Sequence, residues 1–172
     1  YRLLESPDSM EAHEIESRMD TKWAGRKVSC KKETGSTNID CKELAAAGAP
    51  HGTLAVAEAQ MGGRGRRGRS WQSPAGESIY MSLLCRPVFQ PDKAPMLTLV
   101  MGLSVAEAVR KYTGLPAGIK WPNDVVVNGK KICGILTEME MGLEARERQY
   151  LVIGVGINVN NEAFPGELRD KA

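Results

Sequence analysis

Two stretches, "DVVVNGKKICGILTEME" at 124–140 and "QYLVIGVGINVN" at 149–160, leave this chain few architectures. Asn128-Gly129 is a dipeptide that tolerates the positive φ angles of a tight hairpin, so the first stretch must double back there. Its long arm, 131–140, and the second stretch, 149–158, are placed to pair as another hairpin across the charged connection "GLEARER" at 142–148. Strand alternation then puts Gly154, Gly156 and Asn158 on one face and Ile153, Val155 and Ile157 on the other. Glycine weakens a strand, so two in alternation indicate close approach of a ligand or backbone, or tight packing under a helix. Gly134 in the neighbouring arm would extend the same small-residue floor. Adjacent hairpins favour an α+β fold with a mixed, largely antiparallel sheet and helices packed on it, rather than a doubly wound parallel sheet.

Further strands are expected at 26–33, 52–60, 78–87 and 117–121, with helices at 38–47 and 95–112. In the longer helix, Met96, Leu99, Val100, Leu103, Ala106 and Val109 form the apolar stripe expected to face the core. Residues 1–25 are polar and read as a linker carrying a short exposed helix, with 161–172 a polar loop. Residues 26–172 then form one domain, and a start at Tyr1 is expected to mark a piece of a longer product. Four cysteines (Cys30, Cys41, Cys85, Cys133) show no CxxC spacing and only His13 and His51 accompany them, which argues against a metal cluster and for a reduced, cytoplasmic setting. No apolar run approaches the ~18 residues that span a bilayer, so no membrane partner is expected.

Between the second and third strands lies "AQMGGRGRRGRSWQSPAGES", 59–78, with Arg64, Arg66, Arg67 and Arg69 among its glycines. The run formally matches GxGxxG, but a dinucleotide site needs a helix to start within the glycines, and here Pro74, Gly76 and a strand follow. A solvated basic loop and a nucleic-acid grip with Trp71 stacking on a base are both open readings. The net charge of only +2 weighs against a general nucleic-acid binder. In the third reading the loop is an anion clamp: glycine lets backbone approach a ligand, and arginine offers two-pronged donors to carboxylate or phosphate.

Two more stretches bear on that choice. In "IKWPND", 119–124, alternation turns Lys120 away from the face of Ile119 and Trp121, and Pro122 ends the strand in a turn at Asn123-Asp124. Lys120 is either a surface lysine or a cation held on a rigid strand end. "GSTN", 35–38, is a helix N-cap by default, and also offers hydroxyls and an amide to a neutral polar ligand group; Gln60 offers another donor and acceptor.

Taken in order, GSTN, EAQ-xGGRGRRGRSW, KWPND, KKICGIL and GVGIN resemble the biotin–protein ligases, over about residues 26–165. The resemblance implies the biotin/lipoate ligase catalytic fold, which is class II synthetase-like. It also implies a two-step reaction in which biotin and ATP give biotinyl-5'-AMP, and a lysine of a biotin carboxyl carrier protein then takes the biotin. Lys120 and Arg66 are implied as catalytic. Biotin would be held by Ser36, Thr37, Asn38, Gln60, Gly63, Arg64, Gly65, Arg66, Lys120, Gly134, Gly154 and Gly156. ATP would be held by Arg66, Arg69, Trp71, Asn123, Lys131 and Asn158. Magnesium is expected with ATP, with Asp124 the one carboxylate suggested for it. Residues 1–25 become the remnant of a missing DNA-binding winged helix, through which alone DNA would be bound, and the C-terminal β-barrel is absent. A homodimer fits the family. Lipoate ligases share the fold but their glycine motif reads differently, so lipoate or another acyl group is the alternative.

Overall fold

The computed structural model describes residues 10–140 and 149–161. The expected connection at 142–148 and most of the expected polar loop at 161–172 lie outside the described residues. In chain order the elements are α1 (Ala12–Ser17), β1 (Val28–Thr34), α2 (Thr37–Ala46), β2 (Leu54–Gln60), β3 (Ser78–Cys85), α3 (Ala94–Thr113), β4 (Gly118–Lys120), β5 (Asp124–Val127), β6 (Lys130–Glu140) and β7 (Tyr150–Asn158). The strands form one seven-stranded sheet, ordered β1-β2-β3-β7-β6-β5-β4. β1 and β2 pair in parallel across α2, and the other neighbours are antiparallel, as the hairpins required. At the β5–β6 turn Asn128 and Gly129 take φ angles of 50° and 81°. The β6–β7 register sets Gly134 opposite Gly156 and Leu136 opposite Gly154.

The helices divide between the two faces. Cys41 and Ala45 of α2 pack with Ala55, Leu84 and Val152. On the other face Val105 and Ala106 of α3 pack with Val125, Cys133, Ile135, Ile153 and Val155, and Met10, Ile15 and Met19 around α1 join that cluster. Residues 10–25, expected as a linker, therefore press apolar side chains onto the core.

One expectation about α3 is corrected. Met96, Leu99, Val100 and Leu103 are exposed (59, 38, 57 and 47%), while the helix buries Ala94, Gly102, Val105 and Ala106. The helix is apolar nearly all round, so periodicity could not choose its inner face. The inward face is the one on which Leu97, Met101, Val105, Ala106 and Val109 pack against the strands, with Gly102 set against Ile135 and Ile119.

Burial pushes the Cys41 and Cys133 thiols up to about 12, so both remain protonated core groups.

Candidate functional site

The N-terminus of α2, the loop after β2 and the turn between β4 and β5 meet on the α2 face of the sheet. There, a narrow cleft of about 50 Å³ is lined by Ser36, Thr37, Asn38, Gln60, Arg64 and Gly65, and floored by Gly134, Gly154 and Gly156. It runs into a broader cleft of about 530 Å³ lined by Arg66, Arg67, Arg69, Lys120, Asn123, Asp124, Lys131 and Asn158. Gly65, Arg66, Trp71, Asn123 and Lys131 belong to both, so the two form one continuous groove.

Its polar end is closely bonded. Gln60 Oε1 accepts from the Thr37 backbone N–H at 2.9 Å, and Gln60 Nε2 donates to Ser73 Oγ at 2.9 Å. Ser82 Oγ stands 2.8 Å from Thr37 Oγ1 and 2.6 Å from Asn38 Oδ1. Asn38 Nδ2 donates to Glu138 Oε2 at 2.7 Å, and Lys42 Nζ donates to Glu138 Oε1 at 3.3 Å. Burial opposes the Glu138 charge, but the Asn38 amide, Lys42 and Arg64 together hold its pKa below the ordinary 4.5. The stability this carboxylate adds is therefore present at neutral pH and lost on acidification through its lowered folded pKa.

The glycine floor is needed for side chains lying on it. A Cβ on Gly154 would fall 2.1 Å from Asn38 Oδ1, and one on Gly156 or Gly134 would meet the Trp71 indole at 2.5 or 2.7 Å. Trp71 thus covers the floor, with Lys131 Nζ 5.2 Å from the ring centroid and its own Nε1–H buried without a hydrogen-bond partner among the described residues.

The Gly/Arg loop folds as a small lobe. Gly65 N–H donates to Arg69 C=O at 2.7 Å, Trp71 N–H donates to Gly63 C=O at 2.8 Å, and the chain turns through Arg67 and Gly68 at φ 58° and 72°. Its arginine side chains stay exposed, and Arg66 Nη1 donates to Asn123 Oδ1 at 2.9 Å, joining the lobe to the turn after Lys120. Asn123 is held in turn by donating to Ile135 C=O at 3.0 Å. Ile119 packs toward α3, which turns Lys120 to the cleft side as alternation required, but Trp121, expected on the face of Ile119, lines the broad cleft too, because β4 ends at Lys120.

The expected site residues are brought together with one exception. Gly63 lines neither cleft: it is buried where a Cβ would lie 2.3 Å from Trp71 C=O, so its smallness closes the loop. Asp124 Oδ1 forms an ion pair with Lys131 Nζ at 2.7 Å. No group of three or more His, Cys, Asp or Glu suited to a metal occurs among the described residues. Sequence reasoning missed Ser82, Ser73 and Glu138. Alternation carried a signal for two of them: Glu138 follows Gly134 and Leu136 on one face of β6, and Ser82 faces Gly154 across β3–β7.

Among the described residues no helix is long and apolar enough to cross a membrane. Residues 28–158 match the family model described as the biotin/lipoate A/B protein ligase family. The chain is 42% identical, over 174 aligned residues, to the bifunctional ligase/repressor BirA of Bacillus spizizenii, covering all of this chain and 53% of that protein. It is 40% identical to the biotin–[acetyl-CoA-carboxylase] ligase of Mycobacterium tuberculosis, covering 78% of this chain and 50% of that one. The chain thus spans about half the length of these curated relatives. Among solved structures, the biotin protein ligase from Aquifex aeolicus in complex with biotin and ATP superposes with a TM-score of 0.70 at 38% identity, covering 86% of this chain and 58% of the other. The ligase from Leishmania major in complex with biotinyl-5-AMP gives 0.69 at 27% identity, covering 85% and 62%.

Proposed function

Since this chain belongs to the biotin/lipoate A/B protein ligase family, we propose that it activates biotin with ATP and passes it to a lysine of a biotin carboxyl carrier protein. The observation that carries this is electrostatic. Arg66, Arg67, Arg69, Lys120 and Lys131 line one cleft against the single carboxylate of Asp124, on a chain whose net charge is only +2. Such a cluster is relieved by a polyanion, and it adjoins a neutral, hydrogen-bonding pocket that suits the ureido ring of biotin.

In the first step a biotin carboxylate oxygen attacks the α-phosphorus of ATP, and pyrophosphate leaves with the electron pair of the broken P–O bond. Lys120 and Arg66 offset the charge that builds up as two anions meet. In the second step the carrier lysine's neutral amine attacks the anhydride carbonyl, AMP leaves with the electron pair of the broken C–O bond, and the nitrogen gives up one proton to solvent as the amide forms. Arg66 and Asn123 hold the lobe over the groove and keep water from the anhydride.

Lipoate fits the polar end poorly. A dithiolane has no N–H or C=O groups to bond with the hydroxyls and amides of Ser36, Thr37 and Gln60 that line this end. Biotin-dependent exchange of labelled pyrophosphate into ATP tests the function. Exchange with lipoate instead would favour the other acyl group, and steeply salt-dependent oligonucleotide binding without exchange would favour a nucleic-acid module.

Trp71 supplies a second check. About 50 Å³ of narrow cleft does not take a bicyclic ring while the indole lies on Gly134 and Gly156. Biotin therefore drives Trp71 outward, toward the nucleotide side. Titration with biotin is expected to change the intrinsic fluorescence of this chain and to leave that of Trp71→Phe nearly flat. An equal change in both would show that the indole does not move.

A further inference from the structure

We propose that Thr34 and Asp40, neither of which lines the groove, are positioning residues that anchor the stem of the arginine lobe, and that the bond between them governs how long the lobe retains the adenylate. The retention half of this rests on the biotin reading above; the anchoring half does not.

Two arms carry the lobe, and they are bonded to each other. Gln60 N–H donates to Ser73 C=O at 3.1 Å, and Trp71 N–H to Gly63 C=O at 2.8 Å. The entering arm is bonded on its other side as well. Met61 N–H donates to Thr34 C=O at 2.9 Å and Gly62 N–H to Gly35 C=O at 2.8 Å, carrying the β1–β2 pairing one step past Thr34 and Gln60. The two backbones lie close there: a Cβ on Gly62 would sit 3.1 Å from the Gly35 carbonyl oxygen. The stem thus leans on Thr34 and Gly35, at the end of the edge strand β1.

An edge strand that runs out into glycine has little of its own to hold it still. Asp40, in the first turn of α2, supplies the hold. Its Oδ1 accepts from Thr34 Oγ1 at 2.9 Å and from Lys31 Nζ at 2.8 Å, so one carboxylate oxygen ties β1 to the helix at two points. Thr34 and Asp40 are only 8% and 7% exposed, where a carboxylate is costly unless bonded and a charge-assisted bond is strong. From this pair the tie passes through the Thr34 and Gly35 carbonyls to the stem, and the far side of the lobe closes by Arg66 on Asn123. Without the Thr34 hydroxyl, the end of β1 and the stem are free to shift together, and the Arg66 bond alone holds the lobe shut.

The test uses the full chain and the variants Thr34→Val, Thr34→Ser and Asp40→Asn. Valine keeps the shape and removes the donor; serine restores the donor. Arg64, Arg66, Arg67 and Arg69 are exposed, so trypsin reads local opening of the lobe without any ligand. Thr34→Val is expected to be cut in the lobe about tenfold faster than the parent, and to release biotinyl-5'-AMP about tenfold faster on dilution. Thr34→Ser is expected to return both toward the parent. Pyrophosphate exchange at saturating biotin and ATP is expected to stay within a few fold, because Lys120 stands on β4 and not on the lobe; a general loss of structure would lower exchange as well. Parent-like cleavage, or parent-like release of an adenylate that does form, in Thr34→Val would overturn the proposal. Should Thr34→Val melt far below the parent, Asp40→Asn decides, since it leaves the shape intact and reduces a charge-assisted bond to a neutral one. A few-fold rise in lobe cleavage is then expected, and no rise overturns the anchor. Faster cleavage in a chain that forms no adenylate upholds the anchor and overturns the biotin reading.

Discussion

Lys120→Ala is expected to lower biotin-dependent pyrophosphate exchange about 10²- to 10³-fold while biotin alone still binds, since one preorganised donor to a developing charge contributes on that scale. The magnitude follows from position. Lys120 ends β4, and its pairing partner Asp124 begins β5, so the lysine stands on paired backbone rather than on a loop. A charge held on a rigid element does not have to reorganise as the carboxylate and the α-phosphate approach each other. Lys131 lines the same cleft but leans on Asp124 at 2.7 Å, and is poorly placed to stand in. The measurement is isotope exchange between pyrophosphate and ATP at saturating biotin, beside a direct biotin titration. Exchange within a few fold of the parent would remove Lys120 from the chemistry. Loss of biotin binding as well would make it a binding residue.

Arg66→Gly is expected to leave adenylate formation measurable but to speed release of the intermediate by about 10- to 100-fold, the range of one lost charge-assisted hydrogen bond. Arg66 is the arginine that joins the lobe to the Lys120 turn, through its 2.9 Å bond to Asn123. Glycine at 66 removes both that tie and the guanidinium donors aimed at the groove, so the lobe loses its hold on an anion and on its own closed position. Dissociation of biotinyl-5'-AMP, followed by loss of bound radiolabel on dilution, reads this directly. An unchanged off-rate would assign the retention to Arg64 or Arg69 instead.

Much of the site was legible because its parts lie in short contiguous runs. Gly154 and Gly156 announced a surface that something must approach closely, and Asn38 and Trp71 do approach it. The Gly/Arg run lacked the helix of a dinucleotide fold, so its cations needed another anion, and alternation alone aimed Lys120 away from Ile119. Gly63 lies outside both clefts, and a glycine beside an arginine motif looks the same in sequence whether it admits a ligand or only closes a loop. Glu138 was passed over because a glutamate on a half-exposed strand is ordinarily a solvated charge. Its partners, Asn38 and Lys42, come from a helix 100 and 96 residues earlier in the chain.

What the sequence determined by itself is local: where strands turn, which of their residues share a face, and which chemical groups each loop can offer. These follow from φ preferences and from the two-residue period of a strand, which act between near neighbours. Tertiary structure alone decided which side of α3 is inward and that β7 lies between β3 and β6. It also decided that the arginine lobe, α2 and the turn after Lys120 share one groove. Those outcomes depend on close packing between segments far apart in the chain, as where Val105 and Ala106 of α3 meet Val125, Cys133 and Ile135 of the sheet.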